Sequence, residues 1–148
     1  MHENITEKKA VIITKLHGSA KIIPFQFIQI MENLIHNAIK FAREDVPLQI
    51  EITSRIGLGS EFQEDKLSPN SNYCHICFCD NGIGFDAQHS EKIFGVFQKL
   101  HSKDVYAGTG IGLAIVKKIV ENHSGHISAT GEPMNGAKFN IYIPHTAA

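Results

Sequence analysis

The chain has no excess of charge of either sign, no long apolar run, no repeats and little cysteine, and each lack excludes a class of function. Its 148 residues carry 14 basic and 15 acidic side chains, a net charge of −1. A general electrostatic grip on nucleic acid or an anionic membrane is therefore not expected. No apolar run approaches the ~18 residues of a spanning helix. The opening Met1-His2-Glu3-Asn4 lacks the apolar core of a secretion signal, so direct membrane insertion is not expected either. The three cysteines all lie within Cys74-His75-Ile76-Cys77-Phe78-Cys79, a stretch that alternates like a buried strand. On such a strand Cys74 and Cys77 face opposite sides and cannot share a zinc ion. They read as small core-type residues in a reducing compartment, which points to the cytoplasm. With no linker-like stretch, one domain spanning residues 1–148 is expected, and a chain of this size buries ~70 % of its unfolded surface.

What is present is an ordinary core composition, 43 % hydrophobic with nine Phe, arranged in alternating periods. Ala10 to Leu16 reads as a strand. Pro24 opens a helix to about Ala42, with Phe27, Ile28, Met31, Leu34, Ile35, Ala38, Ile39 and Ala42 at three- and four-residue steps. Leu48–Ile56 and Tyr73–Cys79 read as strands around a polar excursion from Gly57 to Asn72. A short helix is expected over Ser90 to Phe97, then an irregular stretch from Gln98 to Thr109. Ile111 to Asn122 forms a second long helix, ended by Ser124-Gly125, and His126–Thr130 and Ala137–Ile143 pair around a turn. Hairpin-linked strands with helices gathered on one face predict an α+β fold, a two-layer sandwich with a mixed, mostly antiparallel sheet.

Three stretches carry chemistry. Gln29, Asn33, Asn37 and Lys40 recur along one edge of the first helix. A carboxamide oxygen suits Mg²⁺ already held by phosphate and water, and a lysine one turn on can meet phosphate; the same stripe also suits a plain solvated helix edge. Asp80-Asn81-Gly82-Ile83-Gly84-Phe85 follows a buried strand. There an aspartate can accept from an exocyclic amine while glycines let backbone approach a flat base, although a tight turn with a capping Asp would look alike. A dinucleotide fingerprint is not expected, because no βαβ crossover follows. Gly108-Thr109-Gly110-Ile111-Gly112-Leu113 runs into a helix with backbone N–H groups available to phosphate. A glycine hinge is the plainer reading, and no Walker lysine follows.

In order and spacing, Asn33…Asn37, Asp80-x-Gly82-x-Gly84, Ile93-Phe94-Gly95-Val96-Phe97-Gln98-Lys99-Leu100 and Gly108 to Leu113 resemble the asparagine, first glycine, phenylalanine and second glycine boxes of sensor histidine kinases. The chain is similar to their ATP-binding catalytic domain, of the GHKL or Bergerat-fold ATPase superfamily, over roughly residues 8 to 145. The resemblance implies ATP and Mg²⁺ as ligands. Asn37 would ligate the metal with Asn33 beside it, and Lys40 would lie near the phosphates. Asp80 would take the adenine amine, Gly82 and Gly84 would shape the pocket, and Phe41 would lie close to the base. Lys99 would reach the terminal phosphate, and Gly108, Thr109, Gly110, Ile111, Gly112 and Leu113 would close a lid formed by Gln98 to Ala107.

Two departures stand out. Asn33 occupies the place where related hydrolases such as gyrase carry a water-activating glutamate. Ala137-Lys138 stands where the family often has a small hydroxyl residue, which leaves a secondary hydrogen bond to the base unsupported. No histidine sits in a phosphoacceptor pattern, and the nine residues before the first strand are too few for a helical hairpin. The expected partners are therefore the kinase's own dimerisation and phosphoacceptor helices and a response regulator. The isolated domain is expected to be a monomer that transfers little phosphate alone. An anti-sigma serine kinase of the same superfamily is the rival enzyme reading, and a nucleotide-sensing module the non-enzymatic one. Nine scattered histidines offer no metal-ligand spacing.

Overall fold

A computed structural model describes residues 11–16, 22–62, 64–85, 92–94 and 112–145, with 11–16 and residue 92 as backbone only. Among these, five strands form one sheet: β1 Val11–Leu16, β2 Gln49–Leu58, β3 Asn72–Asp80, β4 His126–Glu132 and β5 Gly136–Pro144, in the order β1-β2-β3-β5-β4. Only the β1–β2 pair is parallel, as the helical crossover between them requires; the others are antiparallel. Two helices, α1 (Pro24–Lys40) and α2 (Gly112–Asn122), pack on the same face of the sheet. The expected α+β sandwich is the fold.

Period two sets the layers. Ile50, Ile52, Cys74, Ile76, Phe78, Ile127, Ala129, Phe139, Ile141 and Ile143 all point to the helices. They meet Ile30, Leu34 and Ala38 of α1 and Val116, Ile119 and Val120 of α2. Phe78 and Phe139 lie directly opposite one another in the register and are at most 1 % exposed. Each such side chain contributes about 1.5–3 kcal/mol by leaving water. Helix α1 starts with Pro at its first turn and ends with Lys40 in its last, where a cation suits the dipole. Its N-cap, Ile23, has no side-chain cap of its own. His123 supplies the contact from α2's end: Nε2 accepts the Ile23 N–H at 3.0 Å, and Nδ1 lies 2.8 Å from the Ile119 carbonyl.

Three local expectations change. The excursion after β2 is not simply polar: β2 runs on to Leu58, and the segment beyond it folds back onto the outer face of the sheet. There Phe62 and Leu67 bury against Tyr73 and Tyr142, a second small core. Phe62 meets the His75 ring edge-on at 5.1 Å, and His75 stacks on Tyr142 at 4.7 Å. Of the helix expected over Ser90 to Phe97, the described part is a single 3₁₀ turn, Lys92–Phe94, with Ile93 and Phe94 buried. The cysteines divide: Cys74 is in the core, whereas Cys77 and Cys79 are half-buried on the outer face, so only one of the three is a core residue. No helix among the described residues is long and apolar enough to cross a membrane.

Candidate functional site

Strand alternation puts Asp80 on the helix-covered face with Cys74, Ile76 and Phe78, at the strand's last position, between Ile50 of β2 and Ala137 of β5. A carboxylate at the rim of a core must be held by donors. Gly82 N–H donates to its Oδ1 at 2.9 Å and Ala137 N–H at 3.3 Å. Both donors fall on one oxygen, and Oδ2 has no hydrogen bond among the described residues. Burial pushes the Asp80 carboxyl above its ordinary value, and the two amides oppose this only in part.

The loop after β3 is fixed on three sides. Asn81 binds β2's entry through its side chain, accepting from Gln49 N–H at 2.8 Å and donating to the Pro47 carbonyl at 3.1 Å. Ile83 N–H reaches the Phe41 carbonyl at the end of α1 (2.9 Å), and Met134 N–H in the β4–β5 turn reaches the Ile83 carbonyl (2.6 Å). Arg43 adds a fourth tie, donating to the Met134 carbonyl at 3.1 Å while paired with Asp45. Glycine is required twice in this loop. A Cβ on Gly82 would lie 2.5 Å from the Phe41 carbonyl oxygen, and Gly84 has φ +67° with the Glu132 carbonyl 2.1 Å from where a Cβ would stand.

The asparagine edge runs along α1, whose end at Phe41 meets this corner. Asn33 and Asn37 are half-buried, and Asn33 Nδ2 donates to the Gln29 carbonyl at 2.9 Å, which holds its amide by a bond within the helix. Its Oδ1 lies 3.3 Å from where a Cβ on Gly112, the first residue of α2, would stand. Gly112 thus lies beside the asparagine edge. Lys40 Nζ lies 5.8 Å from the centre of the Phe41 ring.

Of the residues singled out in sequence, the structure gathers Asn33, Asn37, Lys40 and Phe41 along α1 and its end. It sets Asp80, Gly82 and Gly84 beside that end, and Gly112 and Leu113 at the start of α2. Lys99, Gly108, Thr109, Gly110 and Ile111 lie outside the described residues, as does the segment Gln98 to Ala107. Sequence reasoning missed the Ala137 N–H, which depends on register rather than side chain, and the structural parts played by Asn81 and Arg43. Asn81 had a signal, since an Asx beside two glycines often bonds backbone.

A fold of this topology is matched among known proteins. The model of the histidine kinase-, DNA gyrase B- and HSP90-like ATPase family matches residues 23–147, and the chain belongs to that family. Cyanobacterial phytochrome A of Nostoc is 44 % identical over 119 residues, 80 % of this chain and 14 % of that protein. Sensor protein kinase WalK of Staphylococcus aureus is 32 % identical over 123 residues, 82 % and 26 % respectively. The chain therefore spans about a seventh of the first of these curated relatives. Among solved structures, the nucleotide-free catalytic domain of histidine kinase ThkA superposes with a TM-score of 0.71 at 25 % identity, covering 99 % of this chain and 87 % of that one. This is an ATP-binding domain of the kind found in two-component sensor kinases.

Proposed function

We propose that the chain binds Mg-ATP at the corner between Asp80 and the asparagine edge and donates the γ-phosphate to a histidine on separate dimerisation helices. The observation that carries this is Asp80: a half-buried carboxylate with one oxygen held by two backbone amides and the other without a hydrogen bond among the described residues. An adenine exocyclic amine would donate to that second oxygen. Gly82 and Phe41 would border the base. Asn37, with Asn33 beside it, would hold Mg²⁺, a cation that favours neutral and anionic oxygens and supplies charge neutralisation at the phosphates. Lys40 and Lys99 would serve the phosphates, and Gly108 to Leu113 would close over them as a lid. Positioning and neutralisation are what phosphoryl transfer chiefly needs. A response regulator would take the phosphate onward, at a cytoplasmic site, and the domain would work as one unit over its length.

Guanine presents a carbonyl where adenine presents its amine, so an acceptor would confront Asp80. That mismatch costs ~1–3 kcal/mol, about five- to 150-fold in affinity. Titration calorimetry is expected to find ATP preferred over GTP by a factor in that range, and equal affinities would remove Asp80 from the role. Incubation with a dimer presenting an acceptor histidine is expected to give an acid-labile, base-stable phosphoprotein. Stable phosphoserine on a partner would instead favour an anti-sigma kinase.

A further inference from the structure

The nucleotide corner uses one face of β3; the other carries a pair of thiols. Cys77 and Cys79 both point outward, half-buried, with their sulfurs 3.4 Å apart. Glu51 and Thr53 of β2 and Lys138 and Asn140 of β5 flank them in the register. The two thiols share one hydrogen bond, and the two charged neighbours, Glu51 and Lys138, act on both.

What such a pair can bind follows from its spacing. A disulfide is disfavoured, because it needs Cβ atoms ~3.5–4.5 Å apart. Alternate residues of an extended strand stand ~6.6 Å apart with parallel Cβ directions. β3 cannot bend to close that gap freely, since it is paired on both sides through Cys77 and Cys79 themselves. Zinc is disfavoured too: among the described residues no three His, Cys, Asp or Glu side chains converge as ligands, and structural zinc wants four. A bridging atom that brings its own third substituent meets neither obstacle. Taking the zinc–thiolate length of ~2.3 Å as a guide, two sulfurs 3.4 Å apart subtend about 95° at the bridging atom. A linear two-coordinate ion would need the sulfurs ~4.6 Å apart on the same bond length. A right-angled, pyramidal centre is the geometry of trivalent arsenic and antimony.

We propose that Cys77 and Cys79 form a dithiol site for trivalent arsenicals on the outer face of the sheet. With an organic arsine oxide, R–As=O, the two S–H bonds break and two As–S bonds form. The oxide oxygen leaves with both protons as water, and no electrons change hands. Attack starts at Cys79, whose thiol is held down to about 7 by its hydrogen bond with Cys77, with Lys138 aiding.

The test is intact-protein mass spectrometry after equimolar phenylarsine oxide, under reducing monothiol. The wild-type chain is expected to gain one phenylarsenic group in place of two hydrogens, and a small dithiol should strip it off. Cys77→Ser and Cys79→Ser should each lose the adduct, and Cys74→Ser should keep it; circular dichroism checks each fold, with alanine as the second choice at either position. No adduct on the wild type, or an adduct that survives either outer-face substitution, would overturn the proposal. So would ready closure of a Cys77–Cys79 disulfide by a disulfide reagent with hydrogen exchange in β3 unchanged.

Discussion

Asp80→Asn separates binding from stability because the proposed adenine contact and the observed backbone donors make opposite demands on this residue. The carboxylate receives Gly82 and Ala137 N–H groups on Oδ1. An asparagine can turn its oxygen to those donors, which leaves its amide nitrogen to meet the adenine amine, donor against donor. Turned the other way, it satisfies the ligand and strands two backbone N–H groups. Either choice forfeits a buried hydrogen bond, ~1–3 kcal/mol, so ATP affinity should fall about five- to 150-fold. Stability should move otherwise. Burial raises the native carboxyl above its unfolded value, so the native state holds that proton more tightly than the unfolded chain. The associated stability is present below the ordinary aspartate value and is lost as pH rises through the raised native value. At neutral pH the wild type therefore carries a desolvated charge that the amide lacks. The variant should match or exceed wild-type stability there, and lose any advantage in acid. Calorimetry with Mg-ATP and urea unfolding at several pH values read the two effects. ATP binding within twofold of wild type, or a variant clearly less stable at neutral pH, would refute the reasoning.

Three further outcomes are expected. Gly84→Ala forces a side chain onto φ +67° and against the Glu132 carbonyl, so urea unfolding should register a loss of ~2 kcal/mol or more; a loss under ~0.5 kcal/mol would contradict the geometry. Burial, above all, holds the His75 pKa below the ordinary imidazole value and keeps the ring neutral. Its contribution is complete above that value and lost as pH falls through the native one, so His75→Gln should flatten the acid limb of the stability profile. A carboxamide takes no proton at neutral pH, so the domain should hydrolyse ATP slowly. Asn33→Glu, which adds a candidate base, should raise turnover by up to ~10²-fold; brisk hydrolysis by the unsubstituted chain would mean that Asn33 is not the limiting position.

The helices and strands of this domain were legible because their signals are local. Leu34, Ala38 and Ala42 repeat at helical spacing, and Cys74, Ile76 and Phe78 alternate, whatever else the chain does. The glycines around Asp80 were legible too, since Gly82 and Gly84 answer to backbone limits that few other residues meet. What sequence left open was anything set by register or by approach between distant segments. Ala137 supports Asp80 through its N–H, which any residue but proline would offer, and only the pairing of β3 with β5 places it there. The excursion after β2 looked polar because most of it is; that Phe62 and Leu67 find a second core depends on Tyr142, some 75–80 residues away. Cys77 and Cys79 read as core residues by composition, and became an outward pair because period two assigns β3's other face to the helices. Local pattern chose the elements, and the sheet's register decided which of their atoms meet.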